Sequence, residues 1–156
     1  MYLEWKLNFL KNFWFVKSDA VIRKVKLIGC YDNAQDQYSF ISKTSEYLNK
    51  FKTMSKIDLM KDFNEMALSI YVLDDGNIEN NVCKISCAQF SDIEREFFCS
   101  MLKDKFGICC NIYHCEGNPV KDYFYILKQD CIDLKNIILS KIPNEIDVVK
   151  DKIKGD

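Results

Sequence analysis

Two adjacent carboxylates, Asp74 and Asp75, are the residues whose type and position most directly suggest chemistry in this chain. They end a largely apolar stretch of helical length that begins at Glu65, and Gly76 follows them. At a helix C-terminus each carboxylate costs a few tenths to about 1 kcal/mol, because the helix dipole is negative there. A divalent cation such as Mg²⁺ would reverse that cost, since hard cations bind carboxylate oxygens. The alternative is a solvated Asp-Asp-Gly turn, and the residues alone leave both interpretations open.

The stretch before the carboxylates has the periodicity of an α-helix. Positions spaced i, i+3, i+4 and i+7 lie on one face of a helix. Here that face consists of Ala67, Ile70, Tyr71 and Asp74. Gly76 stands where the residue after a helix often adopts the left-handed conformation, so we expect that conformation there.

The segment from Leu68 to Gly76 resembles the LAGLIDADG motif of homing endonucleases. It is most similar to the branch whose motif is Leu-Ala-Ile-Trp-Phe-Met-Asp-Asp-Gly. The residues identical to that branch are Leu68, Ile70, Asp74, Asp75 and Gly76, and the other four positions carry conservative replacements.

The resemblance extends to both sides of the motif. Downstream, Ile85-Ser-Cys-Ala-Gln-Phe-Ser91 and a charged helix ending at Phe106-Gly107 follow the order of the family. Upstream, Tyr2-Leu-Glu-Trp-Lys-Leu-Asn-Phe-Leu10 is similar to the helix between the two motifs of family members. The resemblance therefore covers nearly the whole chain, although it contains only one motif.

The fold class expected is α+β, similar to the LAGLIDADG homing endonucleases. It would contain an αββα segment, then the motif helix and a ββαββα-type repeat, with an antiparallel saddle sheet. Residues 1–62 would form a partial first repeat that lacks its motif helix, and residues 63–156 a second repeat, together one compact unit. Either the first hairpin of the second repeat would be short, or one of its strands would be hidden in Ile78 to Asn81.

Local patterns predict the individual elements. Ser91 and Glu94 form the signature of a capping box for the helix that runs from Asp92 to Phe106 and ends at Gly107. Its expected inward residues are Ile93, Phe97, Met101 and Leu102. Asp130 is expected to cap the last long helix, which ends before Pro143. The remaining predictions are helices over residues 2–15 and 46–54, a polar turn over 77–81, and strands over 21–28, 38–43, 82–90, 108–115 and 122–128.

The resemblance implies roles for particular residues. Asp75 matches the metal ligand, Asp74 would be secondary, and Lys150 is the best match for a lysine that assists phosphate chemistry. The cofactor would be Mg²⁺ or Mn²⁺, and the substrate a long double-stranded DNA site. The strand residues expected to face DNA are Arg23, Lys24, Lys26, Gln37, Ser39, Lys43, Lys84, Gln89 and Tyr125. Comparable strand positions are Ser86, Asn111, Tyr113, His114, Tyr123 and Lys128. The alternative for the basic strand is a solvated edge protected by lysines.

Family enzymes cut DNA with two motif helices side by side, so one motif supplies half of a site. The missing half would come from a homodimer or from a partner polypeptide. A non-cleaving protein of the same fold, such as an intron RNA maturase or a degenerate remnant, is the alternative.

Composition bounds these hypotheses. The chain has 156 residues, a formal net charge of −1 and eight cysteines. The net charge counts against a nucleic-acid binder, although a basic face can be offset by acidic residues elsewhere. No apolar run reaches the roughly 18 residues of a transmembrane helix, and no secretory signal is visible, so no membrane partner is expected. Reduced thiols in an intracellular, cytoplasmic location are expected. Zinc is disfavoured because the cysteines with ligand-like spacing fall within predicted strands, namely Cys83, Cys87, Cys109, Cys110 and Cys115.

Overall fold

A computed structural model describes residues 2–12, 22–25, 37–39, 49, 51, 53–117, 122–143, 145–146, 149 and 153. The chain forms two compact units, Met1–Thr53 and Met54–Asp156, and each is described by itself. The predicted division into repeats at residues 62 and 63 stays a prediction. In the described part of the chain, no helix is both long and apolar enough to cross a membrane.

The described residues of the first unit include a helix, a pair of short antiparallel strands and helical residues near position 50. Helix α1 spans Tyr2–Asn12, and its Trp5 ring stacks with Tyr2 and with Phe9 at centroid distances of 6.0 and 5.4 Å. Strands β1 (Arg23–Val25) and β2 (Gln37–Ser39) pair in antiparallel fashion, as predicted. The described residues between positions 49 and 53 are helical, as the prediction for 46–54 requires.

The second unit contains a complete αββαββα repeat preceded by a short helix. The short helix α2 spans Lys56–Lys61, within residues 55–62, for which the sequence leaves a connector or a short helix open. The repeat consists of α3 (Glu65–Asp75), β3 (Gly76–Glu79), β4 (Val82–Ser86), α4 (Asp92–Phe106), β5 (Asn111–Tyr113), β6 (Tyr123–Leu127) and α5 (Lys128–Lys141).

The four strands of the repeat form one antiparallel sheet in the order β3-β4-β6-β5. Successive side chains of a strand point to opposite faces, so one face is apolar and the other polar. The apolar face carries Ile78, Cys83, Ile85, Phe124 and Ile126, all of them buried. Helices cover this face, with Phe98 of α4 only 4.4 Å from Phe124 between ring centroids. Each isoleucine and phenylalanine of this face contributes about 1.5–3 kcal/mol on full burial, so this core stabilises the sheet against which the helices pack.

Helix α4 confirms the local signals of its sequence. The hydroxyl of Ser91 accepts the Glu94 N–H, and the Glu94 carboxylate accepts the Ser91 N–H. Gly107 ends the helix in the left-handed conformation with φ of 71°. One inward assignment is wrong, because Ile93 is 71% exposed.

Three boundaries differ from the predictions. The polar turn expected over 77–81 is mostly strand β3, and only Asn80 and Asn81 form the turn, with φ of 50° and 57°. Helix α5 begins at Lys128 rather than after Asp130, since β6 continues directly into it. The carboxylate of Asp130 instead accepts the backbone N–H of Cys109 at 2.8 Å. Strands β4, β5 and β6 are shorter than predicted.

Candidate functional site

The motif helix α3 is anchored at its start and along its buried side. The side-chain carbonyl of Asn64 accepts the Ala67 N–H at 3.0 Å and caps the first turn. Leu68 and Val72 have no exposed surface, so the helix is held against the sheet by its apolar residues. Lys141 of α5 forms an ion pair with Glu65 at 2.5 Å. These contacts fix the helix and therefore the position of its last residues.

Asp74 and Asp75 form the exposed last turn of α3, which contains no basic residue. The helix dipole disfavours a carboxylate at this end of the helix. This arrangement retains the electrostatic cost that the sequence indicated.

Gly76 joins the motif helix to the sheet without an intervening loop. It has φ of −89° and ψ of 152°, so the left-handed conformation expected there is wrong. Its N–H donates to the Val72 carbonyl, and a Cβ atom would lie 2.5 Å from that oxygen. Glycine is required by this close approach and not by its dihedral angles, so the helix can pass at once into β3.

Tyr71 lies behind the carboxylates with a buried hydroxyl. Its ring makes edge contacts with Phe63 and Phe98 at centroid distances of 6.1 and 5.8 Å. The hydroxyl oxygen has no hydrogen-bond partner among the described residues. Burial raises the pKa of Tyr71 above its usual range, and the nearby Asp75 carboxylate raises it further. The phenol therefore stays neutral beside the carboxylate.

The residues at this helix end suit a hard divalent cation only in part. Carboxylate oxygens are the ligands that Mg²⁺ prefers, and both aspartates are exposed. However, within the described ranges no group of three or more His, Cys, Asp or Glu residues gathers into a metal site. Asp75, with Asp74 beside it, would hold such an ion as part of a larger ligand set.

The polar side of the sheet forms a continuous surface, called here the open face. It consists of Asn77, Glu79, Lys84, Ser86, Asn111, Tyr113, Tyr123 and Tyr125. The Lys84 amino group lies 5.5 Å from the ring centroid of Tyr123 and 5.9 Å from that of Tyr125. Tyr113 stacks on Tyr123 at 4.7 Å. These contacts preorganise a lysine and three phenols on one surface, beside the end of α3.

A shallow cavity of about 220 Å³ lies at one side of the open face. It is lined by Asn77, Glu79, Asn80, Val82, Lys84 and Tyr125. The amide and phenol groups of this cavity can donate and accept hydrogen bonds, and the Lys84 ammonium group donates, as contacts with base edges require.

The structure brings some of the predicted site residues together. Lys84 and Tyr125 are cross-strand partners, and Gln89 is exposed in the turn after β4. The Gln89 backbone carbonyl accepts a hydrogen bond from the Lys56 amino group. Arg23 and Lys24 lie on β1, and Gln37 and Ser39 lie on β2. Lys26, Lys43 and Lys150 lie outside the described residues.

A buried ionic cluster at the end of the sheet was not anticipated from the sequence. Arg95 and Asp122 have side-chain exposures of 8% and 4% and form an ion pair at 2.9 Å. His114 Nδ1 lies 3.2 Å from the same Asp122 carboxylate oxygen. A signal for Arg95 was present, because it shares the buried helical stripe of Phe98 and Leu102 at spacings of three and seven. No local signal pairs it with an aspartate 27 positions later.

The described cysteines are free thiols. Cys83 and Cys87 lie on the buried side of the sheet, as the interpretation of small buried hydrophobes predicts. Burial raises the pKa of Cys87 and of Cys131, so these thiols stay protonated.

A motif helix that ends in exposed carboxylates and continues into an antiparallel sheet covered by helices on one face defines an α+β repeat of the homing-endonuclease type. A family model described as the LAGLIDADG DNA endonuclease family matches residues 1–132. Because this match spans most of the chain, the protein belongs to that family.

Among solved structures, the chain is similar to the homing endonuclease I-WcaI bound to its DNA recognition sequence. The TM-score is 0.69 at 19% sequence identity, and the match covers 97% of this chain and 70% of that one. At this identity the likeness establishes the fold, and it confirms the predicted fold class. No curated protein sequence matches the chain.

Proposed function

We propose that this protein is a site-specific endonuclease of double-stranded DNA that hydrolyses phosphodiester bonds with Mg²⁺ or Mn²⁺. The observation that carries the proposal is the pair of exposed carboxylates in a helix turn without basic residues, directly beside the open face. A turn of this kind is electrostatically unfavourable by itself, and a bound cation would compensate for it.

Asp75 is proposed as the metal ligand, with Asp74 adjacent and secondary. A bound divalent ion supplies an activated water and neutralises charge on the leaving oxygen. Lys150 is proposed to assist at the phosphate. The neutral phenol of Tyr71 would pack behind the carboxylate without adding charge to the site.

DNA would lie across the strands. Lys84 and Tyr125 are suited to base edges, because the contacts with the rings hold the lysine in place on a central strand. Arg23, Lys24, Gln37 and Ser39 of the hairpin, together with Lys26, Lys43 and Gln89, remain the other proposed contacts. The structure of I-WcaI with its DNA recognition sequence supports this choice of partner.

The second half of the catalytic site is proposed to come from a second copy of this chain or from a partner polypeptide. The support is that one motif is present and that the described residues gather no complete ligand set. Two such halves in a dimer would be related by approximate two-fold symmetry, so a two-fold symmetric target is expected.

The test combines solution mass with cleavage. Light scattering after size exclusion gives the oligomeric state, and a plasmid library of randomised inserts supplies targets without knowledge of the site. Wild type with Mg²⁺ is expected to cut a subset of inserts, whereas Asp75→Asn and chelator-treated wild type are not. Asp75→Asn that still cuts would overturn the assigned role.

The alternative is a nucleic-acid-binding protein of the same fold that does not cleave, such as an intron RNA maturase or a degenerate remnant. The net charge of −1 and the single motif favour it. Salt-sensitive binding of DNA or RNA by a monomer, without nicking in Mg²⁺ or Mn²⁺, would establish this alternative. Cleavage would exclude it.

A further inference from the structure

We propose that Glu79 determines sequence specificity by accepting a hydrogen bond from the amino group of a cytosine, while Lys84 of the same cavity donates to the guanine paired with it. The inference rests on the DNA binding of the proposed function and deepens it, because it names the base pair that this part of the open face would recognise. Glu79 was not among the DNA-facing residues that the sequence predicted.

The first step is the position of the Glu79 carboxylate. Glu79 is the only acidic residue of the open face, and its side chain is exposed at the end of β3. The carboxylate forms no hydrogen bond or ion pair with another described residue. A carboxylate can only accept hydrogen bonds, and it repels the phosphates of DNA. On a surface that binds DNA it is therefore suited to the amino groups of bases and not to the backbone.

The second step is the donor beside this acceptor. Glu79 pairs with Val82 in the register of the sheet, so Lys84 stands at the diagonal position on β4, about 7 Å away between Cβ atoms. The Lys84 amino group is held over the rings of Tyr123 and Tyr125, at 5.5 and 5.9 Å from their centroids. The lysine therefore does not neutralise Glu79, and both side chains can contact a ligand.

The third step is the rigidity of the turn at the cavity. Asn80 and Asn81 connect β3 to β4 with φ of 50° and 57°, a left-handed conformation that asparagine tolerates. The side-chain carbonyl of Asn81 accepts from the Lys135 amino group at 3.0 Å, and its backbone carbonyl accepts the Lys128 N–H at 2.9 Å. These bonds fix the turn to α5, so the adjacent Glu79 is preorganised for binding.

An acceptor and a donor in one cavity match a guanine·cytosine pair. In the major groove cytosine presents its N4 amino group, from which a glutamate can accept, and guanine presents O6 and N7, to which a lysine donates. A thymine in place of the cytosine would put a carbonyl oxygen and a methyl group against the carboxylate. Adenine also offers an amino group, but its partner thymine gives Lys84 a single acceptor, O4, where guanine gives two.

Selection of bound duplexes from a randomised library tests the inference without knowledge of the target. Wild type and Glu79→Gln are each used for selection by binding, and the selected bases are compared by sequencing. We expect wild type to select cytosine at a position where Glu79→Gln does not, since glutamine pairs preferentially with adenine. Replacement of that cytosine by thymine should weaken binding to wild type roughly tenfold and binding to Glu79→Gln much less.

The loss of the negative charge supplies a second readout. Glu79→Gln should bind a duplex of random sequence at least as tightly as wild type, because the repulsion between Glu79 and the phosphates is removed. A variant that had merely lost its structure would bind both the random and the selected duplex more weakly. Glu96→Gln is the matched control, because Glu96 is exposed on α4, which covers the other face of the sheet. It is expected to keep the wild-type preference at every position.

The outcomes separate this inference from the proposed function. If wild type selects a target in which no position depends on Glu79, the inference is overturned and the endonuclease proposal stands. Selection of adenine by wild type at the position that depends on Glu79 would also overturn the assigned base pair. Wild type that binds no duplex overturns both the inference and the proposed function.

Discussion

A methyl group on Gly76 would lie 2.5 Å from the carbonyl oxygen of Val72, closer than side-chain carbons come to backbone oxygens. We therefore expect Gly76→Ala to be destabilising by about 1–3 kcal/mol, as overpacking in a fixed core usually is. Urea unfolding of the purified variant measures the change.

Gly107 supplies the matched comparison, because a Cβ atom there meets nothing within 4 Å while φ is 71°. Asparagine tolerates the left-handed conformation better than alanine, so Gly107→Asn should be more stable than Gly107→Ala. At Gly76 the order should reverse, since asparagine is larger. If the asparagine variant were more stable than the alanine variant at both positions, the contact with Val72 would not be what requires glycine at position 76.

The hydroxyl of Tyr71 is expected to contribute nothing to the stability of the folded protein. A buried polar atom without a partner loses its water contacts and receives no compensation, so Tyr71→Phe is expected to be neutral or stabilising by about 1 kcal/mol. Thermal unfolding checks this, and Tyr113→Phe on the open face is the control. A clear loss of stability would reveal a partner for the hydroxyl outside the described residues.

Lys84 is expected to act in recognition of bases. Lys84→Met should weaken binding of the selected target by about 1–3 kcal/mol and relax the preference at one base pair, with little change in salt dependence. Competition binding against single-base variants of the target is the measurement. Lys103→Met is the control, because Lys103 lies on α4, which packs against the other face of the sheet.

A salt slope that falls by about 0.9 in Lys84→Met would instead identify a phosphate contact. That result would contradict the role in base recognition.

Asp122 should make the fold sensitive to acid. Its pKa is lowered in the folded protein, so the stabilisation is complete above the pKa of the unfolded chain and is lost as pH falls through the folded pKa. The melting temperature of wild type should therefore fall steeply below about pH 4.

Asp122→Asn is expected to melt at a lower temperature at neutral pH, because Arg95 loses its buried partner and keeps only the exposed Asp92 carboxylate at 3.4 Å. Its melting temperature should change less than that of wild type between neutral pH and acid. If the melting temperatures of wild type and Asp122→Asn fell in parallel as the pH is lowered, another carboxylate would control unfolding in acid.

The sequence predicted best those features that are encoded in adjacent residues. The capping box of Ser91 and the glycine C-cap at Gly107 each depend on residues within one turn of the helix, and both are present as predicted. Gly76 was identified as a necessary glycine for the wrong physical reason, because its contact with Val72 depends on how helix and strand meet.

The features that the sequence did not predict depend on contacts between residues distant in the chain, or on segments with weak local preferences. Strand β3 has only four residues, and its Gly, Asn and Glu are poor strand formers, so pairing with β4 determines it. The pairing of Arg95 with Asp122 forms only when α4 packs beside β6.

The loopless passage from α3 to β3 has a consequence for how this protein can vary. The direction of successive side chains changes by about 100° per residue in a helix and by 180° in a strand. At Gly76 the helix passes into the strand with no loop residue that could absorb a change in length. One inserted or deleted residue would either swing Asp75 around the helix or exchange the two faces of β3. Substitutions on the open face can therefore change which DNA is recognised. An insertion or deletion at this junction would instead change the position of the open face relative to the carboxylates.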